Sequence, residues 1–204
     1  MNKVSKRQTT TAETKSKLFD SALTLFSDKS YAATSIRDII QLAGVTQPTL
    51  YYHFSDKADL FQKLVEHHYG QSQQQLIQLV QETEGLRERL LALLIRSFEF
   101  CAADPRIPKL MFQTYYGPSI PEVSDTIETL TTSRFQLVVD VMKQGIKAGE
   151  LTDSNPEFLA LSFCCLMDQP INLFSRKPDP SQYLTQELAA AIVELFLNGA
   201  ASSD

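Results

Sequence analysis

The chain has 204 residues, 43% hydrophobic and 21% charged, with a net charge of −5. No apolar run reaches the ~18 residues of a membrane span, no signal-peptide pattern opens the sequence, and three cysteines, two of them adjacent (Cys164 and Cys165), form neither a CxxC spacing nor a disulfide framework. Neither a membrane-spanning helix nor a disulfide-stapled secreted domain is expected, and the reading is a cytoplasmic chain of one or two domains with a substantial core.

The charge is unevenly placed. Residues 1–69 hold nine Lys/Arg against seven Asp/Glu, and residues 70–204 hold ten against seventeen. The positive balance falls in the first third, which permits contact with a phosphate backbone there without requiring it.

In chain order, residues 1–10 are polar and aperiodic, a flexible basic arm carrying Lys3, Lys6 and Arg7. Residues 11–28 read as a first helix, with Leu18, Ala22 and Leu25 on one stripe and Phe19, Leu23 and Phe26 beside it. Ser35 with Asp38 three residues on is a helix-start signature. Ile36, Ile39, Ile40 and Ala43 then give a short second helix one apolar side, and Gly44 can close it in the left-handed region. Thr46 suits the N-cap of a third helix, with Pro48 in its first turn. In that helix Leu50 and Phe54, four apart, share one face. Gln47, Thr49, Tyr51 and His53 are then presented outward. A packed helix gains nothing from so many exposed amide and aromatic groups, so this face reads as a surface made for contact. Helix, glycine-containing turn and second helix constitute the helix-turn-helix unit that places its second helix in the major groove.

Ser55 suits the N-cap of a fourth helix carrying Leu60, Phe61, Leu64 and Val65 inward, able to run on through the Gln-rich residues 71–75 to Val80. Beyond Gly85 the pattern stays helical and is punctuated by proline. Segments are expected at 86–103, 107–116, 122–148, from Asn155-Pro156 to about Phe174 with a kink at Pro170, and from Asp179-Pro180 to Asn198-Gly199. No strand pattern stands out. The expected fold is all-α, with about nine helices.

Ala43-Gly44-Val45-Thr46-Gln47-Pro48-Thr49-Leu50-Tyr51-Tyr52-His53-Phe54 with Lys57 resembles the DNA-binding domain of the TetR/AcrR family of helix-turn-helix transcriptional regulators. The resemblance covers roughly residues 11–69, and 70–204 share only length and helical character with the family. It implies a DNA-binding domain at 11–69, a ligand-binding and dimerisation domain at 70–204, and phosphate contacts from Tyr51 and Lys57. Side-chain chemistry adds that Gln47 suits the adenine edge, Arg37 the guanine edge, and Pro48 and the Thr49 methyl group a thymine methyl. Ser35, Thr46, Tyr52 and His53 complete the expected DNA-binding set.

Two apolar stripes, Phe158, Leu161, Cys165 and Leu166, and Leu184, Leu188, Ala191, Ile192 and Leu195, fall on the last two long helices. The resemblance implies that these helices form a two-fold four-helix interface, though periodicity alone equally allows packing within one subunit. Of the aromatic and sulfur-bearing residues Phe98, Met111, Phe112, Tyr115, Tyr116, Phe135, Met142 and Met167, most read as plain core of a helical bundle; the resemblance implies a pocket in this domain, for which they are an adaptable lining with Asp168 and Gln169 as polar contacts. His67 and His68 are consecutive and diverge on a helix, so no metal is expected, and no cofactor either. No phosphate loop, nucleophile elbow or carboxylate pair points to an enzyme. The expected function is a homodimeric, ligand-responsive repressor released from a palindromic operator by a small apolar or aromatic effector. The alternatives are a constitutive or architectural DNA-binding protein and an enzyme with an appended helix-turn-helix.

Overall fold

Leu18, Phe19, Ala22, Leu23 and Phe26 recur at helical spacing, and all five are buried along α1 (Lys3–Lys29). The structure, a computed structural model, describes residues 3–200, with side-chain surroundings for 11–70 and 72–198. α1 begins eight residues ahead of the expected start at Thr11. Residues 3–10 carry no apolar stripe, and a helix can propagate through Lys, Gln and Arg without one. The side chains of Lys3, Lys6 and Arg7 lie outside those described.

Among the described residues there are nine α-helices and two 3-10 turns and no strand. After α1 come α2 (Ile36–Ala43), α3 (Gln47–His53), α4 (Lys57–Glu82), α5 (Leu86–Ala103), α6 (Arg106–Tyr116), α7 (Ser124–Lys147), α8 (Pro156–Phe174) and α9 (Gln186–Ala200). Where the sequence differs from this, local hydrogen bonding explains it. Asp56, not Ser55, caps α4, its Oδ1 accepting from the Asp59 N–H at 2.8 Å, while the Ser55 N–H donates to the Asp59 carboxylate. Asp179-Pro180 starts a 3-10 turn (Pro180–Gln182), because the Asp179 carboxylate accepts from the Ser181 and Gln182 side chains. α9 starts later, with Thr185 Oγ1 accepting from the Leu188 N–H. Pro121–Val123 is likewise a 3-10 turn ahead of α7. Pro170 is accommodated inside α8.

The chain divides into two units. One runs to His68 and takes in Leu110–Ile127; the other comprises Tyr69–Lys109 and the chain from Glu128 onward. The divisions fall inside α4, α6 and α7 rather than in loops. The first follows one residue before the expected boundary at 69/70, but the return of 110–127 to the first unit is not legible as periodicity. It rests on tertiary contacts such as Gln113 Nε2 donating to the carbonyl of Ser27 at 2.9 Å, 86 residues away in sequence.

In the first unit an aromatic cluster joins Phe26 to Phe61 (5.7 Å), Phe61 edge-on to Tyr31 (5.2 Å) and Phe19 to Phe54 (5.4 Å). In the second, α5 packs against α8 and α9. Leu90, Leu94 and Phe98 are buried, and Phe163 of α8 meets Phe196 of α9 edge-on at 5.2 Å. Gly145 lets α7 approach α5 closely, since a Cβ there would stand 3.0 Å from the Leu86 side chain. Glu150 Oε2 accepts from the Leu86 N–H at 2.8 Å, supplying the cap that Gly85 lacks.

Candidate DNA-binding site

α2 is closed at both ends by its own sequence. Ser35 Oγ accepts from the Asp38 N–H at 3.1 Å and the Asp38 carboxylate accepts from the Ser35 N–H at 2.9 Å, a reciprocal capping box. The Ser35 hydroxyl, donating to the Asp38 carboxylate at 2.7 Å, and then the Ser35 N–H hold the Asp38 carboxyl below its ordinary value. At the other end Gly44 sits at φ 64°, where its N–H and that of Val45 both donate to Ile40 O. Ser35 is thus engaged in holding the helix start. Arg37, one turn away, is exposed and makes no hydrogen bond among the described residues, and Asp38 is committed to Ser35, so its guanidinium is available.

α3 is anchored by the two apolar residues the sequence singles out, Leu50 (0% exposed) and Phe54 (1%). Burying them turns Gln47, Pro48, Tyr51 (47% exposed) and Tyr52 (77%) to solvent. Thr49 and His53 are half-buried, not fully outward. Thr46 occupies the N-cap position with extended backbone, but its hydroxyl pairs with Thr49 Oγ1 at 2.8 Å instead of capping a backbone N–H. His53 lies edge-on to Tyr52 at 5.1 Å, and burial together with the Lys15 ammonium lowers its pKa.

Lys57 departs most from what the resemblance implies. Its Nζ donates to the carbonyls of Tyr31 and Thr34, both at 3.0 Å, and lies 4.2 Å from the Tyr31 ring centre. The ammonium is turned inward onto the turn that enters α2 and is not free for a phosphate. This role of Lys57 is not legible in sequence, because its partners are backbone atoms 23 and 26 residues away.

The residues expected to line an effector site do not fall in one unit. Met111, Phe112, Tyr115 and Tyr116 belong to the first, with Tyr115 and Tyr116 exposed (54% and 63%) and Phe112 stacked on Tyr116. Phe98, Phe135, Met142 and Met167 belong to the second, where Phe98, Met142 and Met167 are fully buried core and Phe135 is half-buried. The second unit also holds an ion pair that sequence reasoning missed. Arg134 Nη1 and Nη2 donate to the two oxygens of Asp168, each at 2.7 Å. With its partners 34 positions apart, no sequence spacing announces it. Gln169 is exposed.

Of the expected dimer stripes, Phe158 (64% exposed), Leu161 (55%) and Leu195 (64%) are bare, with Cys165 and Ala191 exposed and Leu166 and Leu188 half-buried. Leu184 and Ile192 are corrected to core, at 6% and 7% exposure, because the inner face of this segment packs within the subunit. Among the described residues no cluster of His, Cys, Asp or Glu could hold a metal, and no helix is long and apolar enough to cross a membrane.

A capped helix, a left-handed glycine turn and a second helix anchored by two apolar residues with its amide and aromatic face bare form a helix-turn-helix unit. Residues 18–64 match the sequence model of the family described as bacterial regulatory proteins, tetR family. The HTH-type transcriptional activator FasR of Mycolicibacterium smegmatis is 28% identical over 132 residues, 65% of this chain and 60% of that protein, so the chain spans somewhat under two thirds of this relative. Among solved structures, the transcriptional regulator FadR from Bacillus subtilis in complex with stearoyl-CoA superposes with a TM-score of 0.77 at 18% identity, covering 90% of this chain and 97% of that one. The ketosteroid transcriptional regulator KstR2 of Mycobacterium tuberculosis does so with a TM-score of 0.75 at 23% identity, covering 93% and 95%. These two likenesses establish the shared fold.

Proposed function

We propose that this chain is a homodimeric, cytoplasmic regulator that binds palindromic operator DNA through α2 and α3 and releases it when a small apolar effector occupies the second unit. The observation that carries the reading is α3 itself, where Leu50 and Phe54 are buried while Gln47, Pro48, Tyr51 and Tyr52 stay bare. Gln47 offers a donor–acceptor pair to adenine and Arg37 a fork to guanine, while Tyr51 is placed for the backbone. The exposed Phe158, Leu161 and Leu195 support a two-fold interface of α8 and α9 with a second copy.

The effector half of the reading is supported by likeness. FadR was solved with stearoyl-CoA and KstR2 is described as a ketosteroid regulator, both ligands with large apolar skeletons. Because α4, α6 and α7 each run through both units, a change of helix path in the second is passed to the first by covalent continuity. Release represses or activates according to where the operator lies relative to the promoter, and the relative FasR is named an activator.

Selection of bound fragments from randomised duplex DNA tests the DNA-binding half. The expected product is a palindrome whose half-sites are centred about 34–36 Å apart, as two-fold recognition helices require. Recovery of fragments without symmetry or consensus would support the architectural alternative.

A further inference from the structure

α3 is seven residues long. At about 10 Å from end to end, the whole helix fits within a major groove ~12 Å wide. Leu50, fully buried, fixes which side of it faces the protein. At ~100° per residue, Tyr52 stands about 160° around the helix from Leu50, and Tyr51 about 100°. Exposure follows the same order, 77% for Tyr52 against 47% for Tyr51. Pro48, also exposed, lies one turn before Tyr52 on the same face. The outermost line of α3 is therefore a pair of rings, set to one side of Gln47 and its amide.

The Tyr52 ring is supported as well as bare. His53 meets it edge-on at 5.1 Å, and the His53 ring in turn lies 6.0 Å from that of buried Phe54. Contact with this half-buried neighbour narrows the positions open to the Tyr52 ring before DNA arrives, which lowers the ordering cost of binding. Thr49, expected from the sequence to offer a methyl group to thymine, is half-buried, and its hydroxyl is paired with that of Thr46 at 2.8 Å. Tyr52 offers a larger apolar surface further out.

In the major groove, thymine differs from uracil, and 5-methylcytosine from cytosine, only by the methyl group at C5. A pair of apolar rings gains free energy by covering that methyl, whatever hydrogen-bonding groups lie beside it. We propose that Tyr52, backed by Pro48, reads the C5 methyl of a pyrimidine in each half-site and so makes operator binding sensitive to base methylation. The inference rests on the DNA-binding reading above and adds to it a specificity residue of apolar chemistry. Gln47 and Arg37 separate bases by their hydrogen-bonding edges; Tyr52 separates a methylated pyrimidine from the same base without its methyl.

The test uses the full chain and the operator recovered from randomised DNA, with one base changed at a time. Replacing thymine by uracil removes the methyl and leaves every hydrogen-bonding group in place. At the position Tyr52 covers, this should weaken binding about 3- to 10-fold per half-site, the worth of one buried methyl. A C·G pair methylated at C5 in that position should bind tighter than unmethylated C·G by a similar factor. Tyr52→Ala should lose both differences while melting as the wild type does, since the ring it removes is bare. Tyr52→Phe should keep both, because the ring and not the hydroxyl carries the reading. Uracil tolerated at every thymine, a methyl difference that survives in Tyr52→Ala, or its loss in Tyr52→Phe would overturn the assignment. The uracil series needs no variant, so it decides even where Tyr52→Ala fails to fold. A selection that returns no consensus removes the DNA-binding reading itself, whereas a consensus without a methyl-dependent position leaves that reading and removes only the role of Tyr52.

Discussion

The Lys57 ammonium stands 3.0 Å from the carbonyl oxygen of Tyr31 and 4.2 Å from the centre of its ring, and a second carbonyl, that of Thr34, completes its coordination. One lysine at the start of α4 therefore fastens the turn from which α2 departs. Lys57→Ala should destabilise the first unit by about 1–3 kcal/mol, since two carbonyls lose a charged donor in a partly exposed setting. A phosphate-binding lysine would behave differently, lowering the slope of log affinity against log salt by ~1 per site. Urea denaturation and a salt titration of operator binding on the folded variant distinguish the roles. Lower stability with the slope preserved is expected, and unchanged stability with a shallower slope would return Lys57 to the phosphate contacts.

Specificity should reside in Gln47 and Arg37. Alanine at either is expected to cost roughly 1–3 kcal/mol per half-site and to relax preference at one base pair. A binding matrix measured for each variant decides the matter. Uniform weakening with the matrix intact would make that residue a backbone contact.

His53 sets an acid dependence in the first unit. Burial, and secondarily the Lys15 ammonium, hold its pKa below the ordinary 6.5. The unfolded chain therefore takes up the proton first, and stability falls as pH drops from about 6.5 towards the folded value and levels off below it. His53→Gln should remove that slope between pH 7 and 5. Identical pH profiles for wild type and variant would show that His53 does not carry it.

The two sides of the last helices should respond oppositely to charge. Leu195→Glu places a carboxylate on a bare surface and is expected to yield folded monomers by light scattering, with operator affinity lost along with the dimer. Ile192→Glu buries the same group in a packed interior and should abolish cooperative melting. A Leu195→Glu chain that remains dimeric would place the interface elsewhere.

The helix-turn-helix was legible because its determinants are local. Ser35 and Asp38 are three residues apart, Leu50 and Phe54 four, and Gly44 alone can take the left-handed turn between the helices without strain. The limits of α5 likewise follow from Gly85 and Asp104-Pro105. What sequence could not show is whatever depends on partners distant along the chain: the inward turn of Lys57, the tie from Gln113 to Ser27, and the Arg134–Asp168 pair. Periodicity also marks an apolar stripe without saying which neighbour covers it. Leu184 and Leu195 therefore looked alike until burial separated them, 6% against 64% exposed. The Thr46 and Ser55 caps are displaced by neighbours: the Thr46 hydroxyl pairs with that of Thr49, and the Asp56 carboxylate rather than Ser55 accepts from the Asp59 N–H.

The central claim is that one molecule couples an effector in the second unit to operator binding in the first. Linkage makes that coupling reciprocal, whatever helix movement transmits it. Effector affinity measured by calorimetry, with and without saturating operator, tests it directly, using an apolar compound that binds the free protein. The account predicts that operator DNA weakens effector binding about 5- to 150-fold, the range of a 1–3 kcal/mol coupling, and that the effector weakens operator binding by the same factor. Equal effector affinity in the presence and absence of operator, for a compound shown to occupy the second unit, would contradict it and leave a constitutive DNA-binding protein.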